Sequence, residues 1–279
     1  MKYILLLSLF FGIQAKAQSG LNFDKRFVES EDKWVAFKAD KDSTYPFGFI
    51  YIDAQAGLTL NYEGTFTIAP DGKFMVKKPD NTNTKIRLTP NNVLVAFIPE
   101  GKFKELEISP MPDWLKHYKT DTNSINRLYN WGYMYNGWGE CAKALTFLEK
   151  AKTIDPKFKG LIVELSYSYN CLAQYSKAEA LLEEEIKINP ENAYVNKEYI
   201  YTLSKNNKID KAATQFEMSL KTIKDNTYNA ENCYNILQSY YNLKDKVNFS
   251  KWYKILQTQP INNKQITQYA DNMKKNLEQ

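Results

Sequence analysis

Over its second half the chain repeats itself. Pro156 and Pro190 stand one fixed interval apart, and the same interval separates Tyr135 from Tyr169, Ala144 from Ala178, and Leu148 from Leu182, while Ala212 and Phe216 carry the last two columns one interval further. Chance alignment of four columns is improbable, and a period of this length, about 34 residues, marks a stacked array whose unit is one supersecondary element. Beyond Ile125 the apolar positions recur at about 3.6, in helices of roughly a dozen residues separated by short breaks. The second half therefore reads as hairpins of helices piled on one another.

Small residues such as Gly132 and Ala144 let the two helices of a hairpin approach closely, while Tyr135 and Leu148 fill the space beside them. Each hairpin is left with an apolar face that only the next hairpin can cover. In the first unit Leu128, Trp131, Gly132, Tyr135, Ala144, Leu148, Ala151 and Pro156 stand in an order and spacing that resemble the tetratricopeptide repeat. The units run over 125–158, 159–192 and 193–226, with a degenerate fourth over 227–260 that carries a two-residue insertion, judged by its proline. Unit two has Ser166 at the small position; unit three has Ile200 there, and Lys224 where proline is expected. Residues 261–279 place Ile266, Tyr269, Met273 and Leu277 on one face, as a terminal capping helix should. The resemblance covers about half the chain, and implies that the first helix of each pair lines the concave side of a curved stack.

One step past the packing residues of each first helix, a rotation of about 100° brings side chains onto the adjoining face. Tyr133, Tyr167 and Tyr201 stand there, and one turn further come Asn136, Asn170 and Ser204. The pattern predicts a ladder of rings beside a ladder of polar groups, to which Tyr129 adds a ring in the first unit, and Tyr194 and Lys197 a ring and a cation in the third. Tyrosine supplies rigid contact area at low entropic cost, and its hydroxyl orients a partner. The two asparagines are expected to grip a peptide backbone, a carboxamide contact that the resemblance implies. The competing expectation is that the same tyrosines are packing between neighbouring helices. A lysine-rich clamp for a terminal carboxylate, used by some members of that family, is not reproduced here, since Lys197 is the one cation at these positions. The repeat also brings Cys141, at the start of one helix, near Cys171, at the end of the antiparallel next one. Either the two bridge, or Cys141, Cys171 and Cys233 are three buried thiols.

The first half has a different period. From about Trp34 to Ile108, β-rich stretches at 34–37, 47–52, 65–68, 74–76, 86–88, 93–98 and 103–108 alternate with turns, which predicts about seven strands in an all-β sandwich or small barrel. Pro70-Asp71-Gly72 reads as a tight hairpin, and Pro99-Glu100-Gly101 likewise. Pro110 and Pro112 end the last strand, so 18–110 reads as a β-rich domain and 111–124 as a linker with a short helix at 114–118 that docks the halves together.

At the start, Met1-Lys2-Tyr3, an apolar run over 4–13 and Ala15-Lys16-Ala17 form the pattern of a cleaved export signal over 1–17, placing the mature protein in the periplasm or outside the cell. The apolar run is too short for a membrane span, and no later segment is apolar enough for one. Loss of Lys2 and Lys16 lowers the formal charge from +5 by two, too small a surplus for nucleic-acid binding. The chain has a single histidine, His117, which excludes histidine triads and imidazole metal clusters, and no phosphate-cradling loop, nucleophile elbow or calcium loop is present. No cofactor or metal is expected. The sequence thus reads as an exported repeat protein, not an enzyme, that binds a protein or peptide on the concave face of its helices. The alternatives are a glycan-binding accessory protein using the same tyrosines, an enzyme whose site lies in the β-rich domain or near Trp114 and His117, and a purely structural scaffold.

Overall fold

The computed structural model describes residues 20–80, 84–261 and 263–278. The expected export signal, 1–17, lies outside them. The chain divides into two compact units, the first ending at Thr120 and the second beginning at Asp121.

The first unit is an antiparallel sheet of seven strands among the described residues: β1 (Lys25–Arg26), β2 (Lys33–Ala36), β3 (Tyr45–Asp53), β4 (Gly57–Ile68), β5 (Phe74–Lys77), β6 (Lys85–Arg87) and β7 (Leu94–Phe97). Their order is β1-β7-β2-β3-β4-β5, with β6 beside β4, so among the described residues the all-β unit is an antiparallel sheet that does not close on itself. The long β3–β4 hairpin is its spine. Asp53 Oδ1 accepts from the amides of Gln55 and Ala56 to close the turn, and Gly57 follows at φ 75°. A bulge at Phe47/Gly48 bends the pair, and a Cβ at Gly48 would lie 2.3 Å from the Asn61 carbonyl oxygen, so glycine alone fits there.

Alternate residues of β3 face opposite sides, and both sides are covered. Phe47, Phe49 and Tyr51 join Trp34, Phe66, Phe74 and Leu115 on one, while Ile50, Ile52, Leu58 and Leu60 are buried on the other. The turn at 70–72 forms as expected, with Gly72 at φ 82° and Asp71 accepting from the Lys73 amide. The stretch 103–108 does not become a strand. A short 3-10 turn, Glu100–Lys102, replaces the second expected hairpin, and the spacing of Phe103 and Leu106 turns both toward the core. Lys102 donates to the Gly72 carbonyl while Glu105 accepts from the Phe74 amide, so this segment clasps the β4–β5 turn. The helical turn Asp113–Tyr118, expected in a linker, belongs to the first unit, where Trp114, Leu115 and Tyr118 pack on the aromatic side of the sheet.

The second unit contains, among the described residues, nine helices: α1 (Ile125–Gly137), α2 (Cys141–Ile154), α3 (Leu161–Cys171), α4 (Tyr175–Ile188), α5 (Ala193–Lys205), α6 (Ile209–Thr222), α7 (Asn229–Asn242), α8 (Lys246–Gln257) and α9 (Lys264–Glu278). Side-chain caps start several of them: Asn192 accepts from the amides of Tyr194 and Val195, and Asp245 from that of Asn248. Odd-numbered helices touch the next odd-numbered helix, and each of α2, α4 and α6 packs against the helix that follows it. The columns seen in the sequence form the core: Ala144, Ala178 and Ala212, with Leu148, Leu182 and Phe216, are all fully buried. A Cβ at Gly132 would meet Leu148 Cγ at 2.3 Å, which is why the first pair needs glycine there. Trp252 stacks on Phe216 at 5.9 Å and stands two places beyond the next expected position of that column, so the insertion enters before α8 carries the column on. In α9 the residue sealed against the array is Ala270, flanked by Ile266, Met273 and Leu277, whereas Tyr269 is 50% exposed and lies off the expected face.

Candidate functional site

The first helices of the hairpins meet along polar seams. Asn136 on α1 is buried; its Nδ2 donates to the Glu164 carbonyl and carboxylate, both at 3.0 Å, and its Oδ1 accepts from the Ser168 hydroxyl at 2.7 Å. One repeat later Asn170 Nδ2 donates to the Glu198 carboxylate at 3.0 Å, and its Oδ1 accepts from Thr202 at 2.9 Å. These side chains fasten repeat to repeat, and they are not available to grip a backbone as the sequence pattern suggested. Ser204, also buried, donates to the Ile200 carbonyl of its own helix. At this third seam Asn232 and Ile236 stand where the glutamate and the hydroxyl stood before. The columns Glu164/Glu198 and Ser168/Thr202 recur at the same period as the tyrosine column, and the sequence reading had passed over them.

The aromatic face behaves differently. Tyr133 is 57% exposed, while Tyr129, Tyr167, Tyr194, Tyr201 and Tyr228 are half-buried. The rings do not form one continuous stack. Tyr129 lies 6.4 Å from Tyr133 and 5.1 Å from Phe158, and Tyr194 lies 5.8 Å from Tyr228. Gly160, at φ 83°, makes room for Tyr129, whose Oη would stand 2.7 Å from a Cβ there. Burial, then the neighbouring Glu164 carboxylate, push the Tyr129 phenol up to about 12. Burial also raises Tyr167, Tyr194 and Tyr201, so these side chains remain neutral donors near neutral pH.

Lys197 is not a free cation. Its side chain is 14% exposed; Nζ lies 2.7 Å from Glu198 and 3.4 Å from Glu231, and 5.8, 5.6 and 5.9 Å from the ring centres of Tyr167, Tyr194 and Tyr228. Burial by itself would lower its pKa, but Glu198 and then Glu231 outweigh it and hold the ammonium above its ordinary value. An aromatic box with carboxylates at its edge is a cation site, and in this repeat the chain fills it itself.

Cys141 and Cys171 are joined, with their Cα atoms 6.2 Å apart, and tie the start of α2 to the end of α3. Cys233 is a buried thiol that donates to the Trp252 carbonyl. On the side of the second helices, a cleft of about 540 Å³ is lined by Glu149, Lys152, Pro156, Tyr169 and Lys177, with the Tyr169 hydroxyl donating to Glu149 at 2.9 Å. In the first unit, His117 is exposed, and the Lys85 ammonium donates to the Tyr118 hydroxyl at 2.7 Å, which lowers that phenol's pKa. Among the described residues no group of histidine, cysteine, aspartate and glutamate side chains is arranged to hold a metal ion, and no helix is long and apolar enough to cross a membrane.

Helix hairpins recurring at one fixed period, with first helices in contact and small residues at their closest approach, define this architecture. The helical half is a tetratricopeptide-like array. No family model and no curated protein matches the chain. Solved structures similar to it include MamA, at 19% identity over 52% of this chain and 84% of that one, with a TM-score of 0.43. A thermophilic tetratricopeptide-repeat protein of Thermus thermophilus matches at 16% identity over 57% and 84%, with a TM-score of 0.45. A tetratricopeptide repeat protein of Parabacteroides merdae matches at 12% identity over 64% and 63%, with a TM-score of 0.44.

Proposed function

We propose that this is an exported, non-catalytic binding protein that holds a polypeptide segment against the first-helix face of its array, the side that the family resemblance makes concave. The observation that carries this reading is the accessibility of Tyr133 at the head of a face bearing five further tyrosines. A fully sealed set of rings would be packing alone. An exposed ring backed by neighbours already fixed in place offers contact area with little left to order on binding. The polar partners sit underneath, committed to the seams, so the face is rigid before anything arrives.

The test is capture from an extract of the source cells by the full chain and by a variant carrying Tyr133→Ala, Tyr167→Ala and Tyr201→Ala. The expected result is loss of the captured protein with helical circular dichroism retained. Undiminished capture by a folded triple variant would remove this face from the function. Export is tested separately, by the N-terminal residue of the mature protein: a start at Gln18 is expected, and an uncleaved Met1 would refute it.

A further inference from the structure

The box that holds Lys197 has a counterpart one repeat earlier, and the counterpart is missing its cation. A shift of one period toward the N-terminus turns Glu198 into Glu164, Tyr167 into Tyr133 and Tyr228 into Tyr194, but turns Lys197 into Val163. One of the two carboxylates and two of the three rings are kept; the other carboxylate, Glu231, falls on Lys197 itself, whose own charge is taken up by Glu198 and Glu231. The third ring falls on Gly160, and the space this leaves is taken by Tyr129.

Glu164 is 2% exposed, and among the described residues it makes no ion pair. Its hydrogen-bond partners are neutral, the Asn136 amide at 3.0 Å and the Tyr194 hydroxyl, and the charges of Glu198 and Lys197 act on it in opposite senses. Burial pushes its carboxyl above the ordinary value, against the pull of those two hydrogen bonds. Lys197 is nearby but is already shared between Glu198 and Glu231, and Lys205 is held by Gln238 and the Tyr201 ring. A buried carboxylate without a counter-ion is costly, and one lying beneath aromatic rings is complementary to an ammonium that can shed its water there.

We propose that the first-helix face receives a lysine side chain of a partner polypeptide, its ammonium seated over Val163 among Tyr129, Tyr133 and Tyr194 with Glu164 as counter-ion, as Lys197 is seated one repeat on. This rests on the binding reading above and gives that partner a chemistry. The exposed ring of Tyr133 is the outer wall of the seat, and an extended segment running along the face would present the lysine from the side where Tyr133 is open to solvent.

The test uses the full chain with its disulfide intact against an array of ten-residue peptides bearing a central lysine in varied flanks, each paired with its Nε-acetyl twin; the best pair is then titrated by calorimetry. Acetylation removes the charge and keeps the shape, so a loss of about tenfold or more is expected. Glu164→Gln and Tyr133→Ala should each weaken the lysine peptide to a similar degree, and Val163→Lys, which supplies the ammonium from within, should abolish its binding. Because Val163 is buried, Tyr133→Ala, at an exposed position, keeps the test independent of folding. An array in which no lysine peptide outbinds its twin overturns the inference. If both twins bind alike and both are weakened by Tyr133→Ala, the lysine seat falls while the binding face stands. If neither responds to Tyr133→Ala, both fall. Spermidine binding where no peptide binds would assign the seat to free amines and likewise overturn the proposal.

Discussion

The two units of this chain solve the same problem, burying backbone and polar groups, in opposite ways. In the sheet, remote stretches close on one another: β1 pairs with β7, β2 lies between β7 and β3, and one aromatic cluster runs from Trp34 to Leu115. In the array every step is local, with each hairpin touching its neighbours and each of the first two seams carrying its own amide, carboxylate and hydroxyl. Damage should therefore spread through the sheet and stay near its origin in the helices.

The sharpest way to break this contrast is at the sheet core. Phe49→Ala, which empties a fully buried site against Trp34, is expected to cost about 3–5 kcal/mol and to erase amide protection throughout residues 20–120 at once. Protection lost only in β3 would refute the single-core view. Next comes the disulfide. It closes a loop of 30 residues, so Cys141→Ser with Cys171→Ser should cost about 3–4 kcal/mol, read by hydrogen exchange as loosening of α1 to α3 with α7 and α8 unchanged. Asn170→Leu removes the Thr202 hydroxyl's contact across the seam, leaving it the Glu198 carbonyl of its own helix, and strips the Glu198 carboxylate of one donor. About 1–3 kcal/mol is expected, confined to the α3–α5 seam.

The smallest effect concerns pH. Glu164 has its carboxyl raised by burial, so the folded chain holds that proton more tightly than the unfolded one. Stability is then favoured below the ordinary value of 4.5 and declines as pH rises from there through the raised value. Glu164→Gln should flatten the melting temperature across this window and leave it unchanged below it. An equally steep decline in the variant would show that Glu164 is not the titrating group.

The array was more legible than the sheet for the same reason that it is more modular. A period read from Ala144, Ala178 and Ala212 fixes partners a whole repeat away, whereas nothing local in Lys25–Arg26 announces its pairing with Leu94 and Val95, and the first half of β4 alternates apolar and polar residues over 58–63 but is set between Gly57 and Gly64, which read as breaks. The stretch 103–108 has strand-forming residues, but its apolar members at 103 and 106 are spaced for a turn. Helical spacing placed Asn136 and Asn170 on the right side of their helices and could not tell how deep they lie. Depth is set by how closely α1, α3 and α5 approach one another, and the paired columns of glutamate and hydroxyl were the trace of that approach in the sequence.

The matched seams also bear on how such a gene can change length. Excising residues 159–192 would bring Asn136 opposite Glu198 and Thr202, a carboxylate and a hydroxyl like those it meets now, but would remove Cys171 and set Lys205 in its place, so the seam is kept and the crosslink lost. Excising 193–226 would set Asn170 against Asn232 and Ile236, and the joint would be lost. Loss of the middle module thus keeps the polar joint and forfeits the covalent one, while loss of the next keeps the covalent joint and forfeits the polar one.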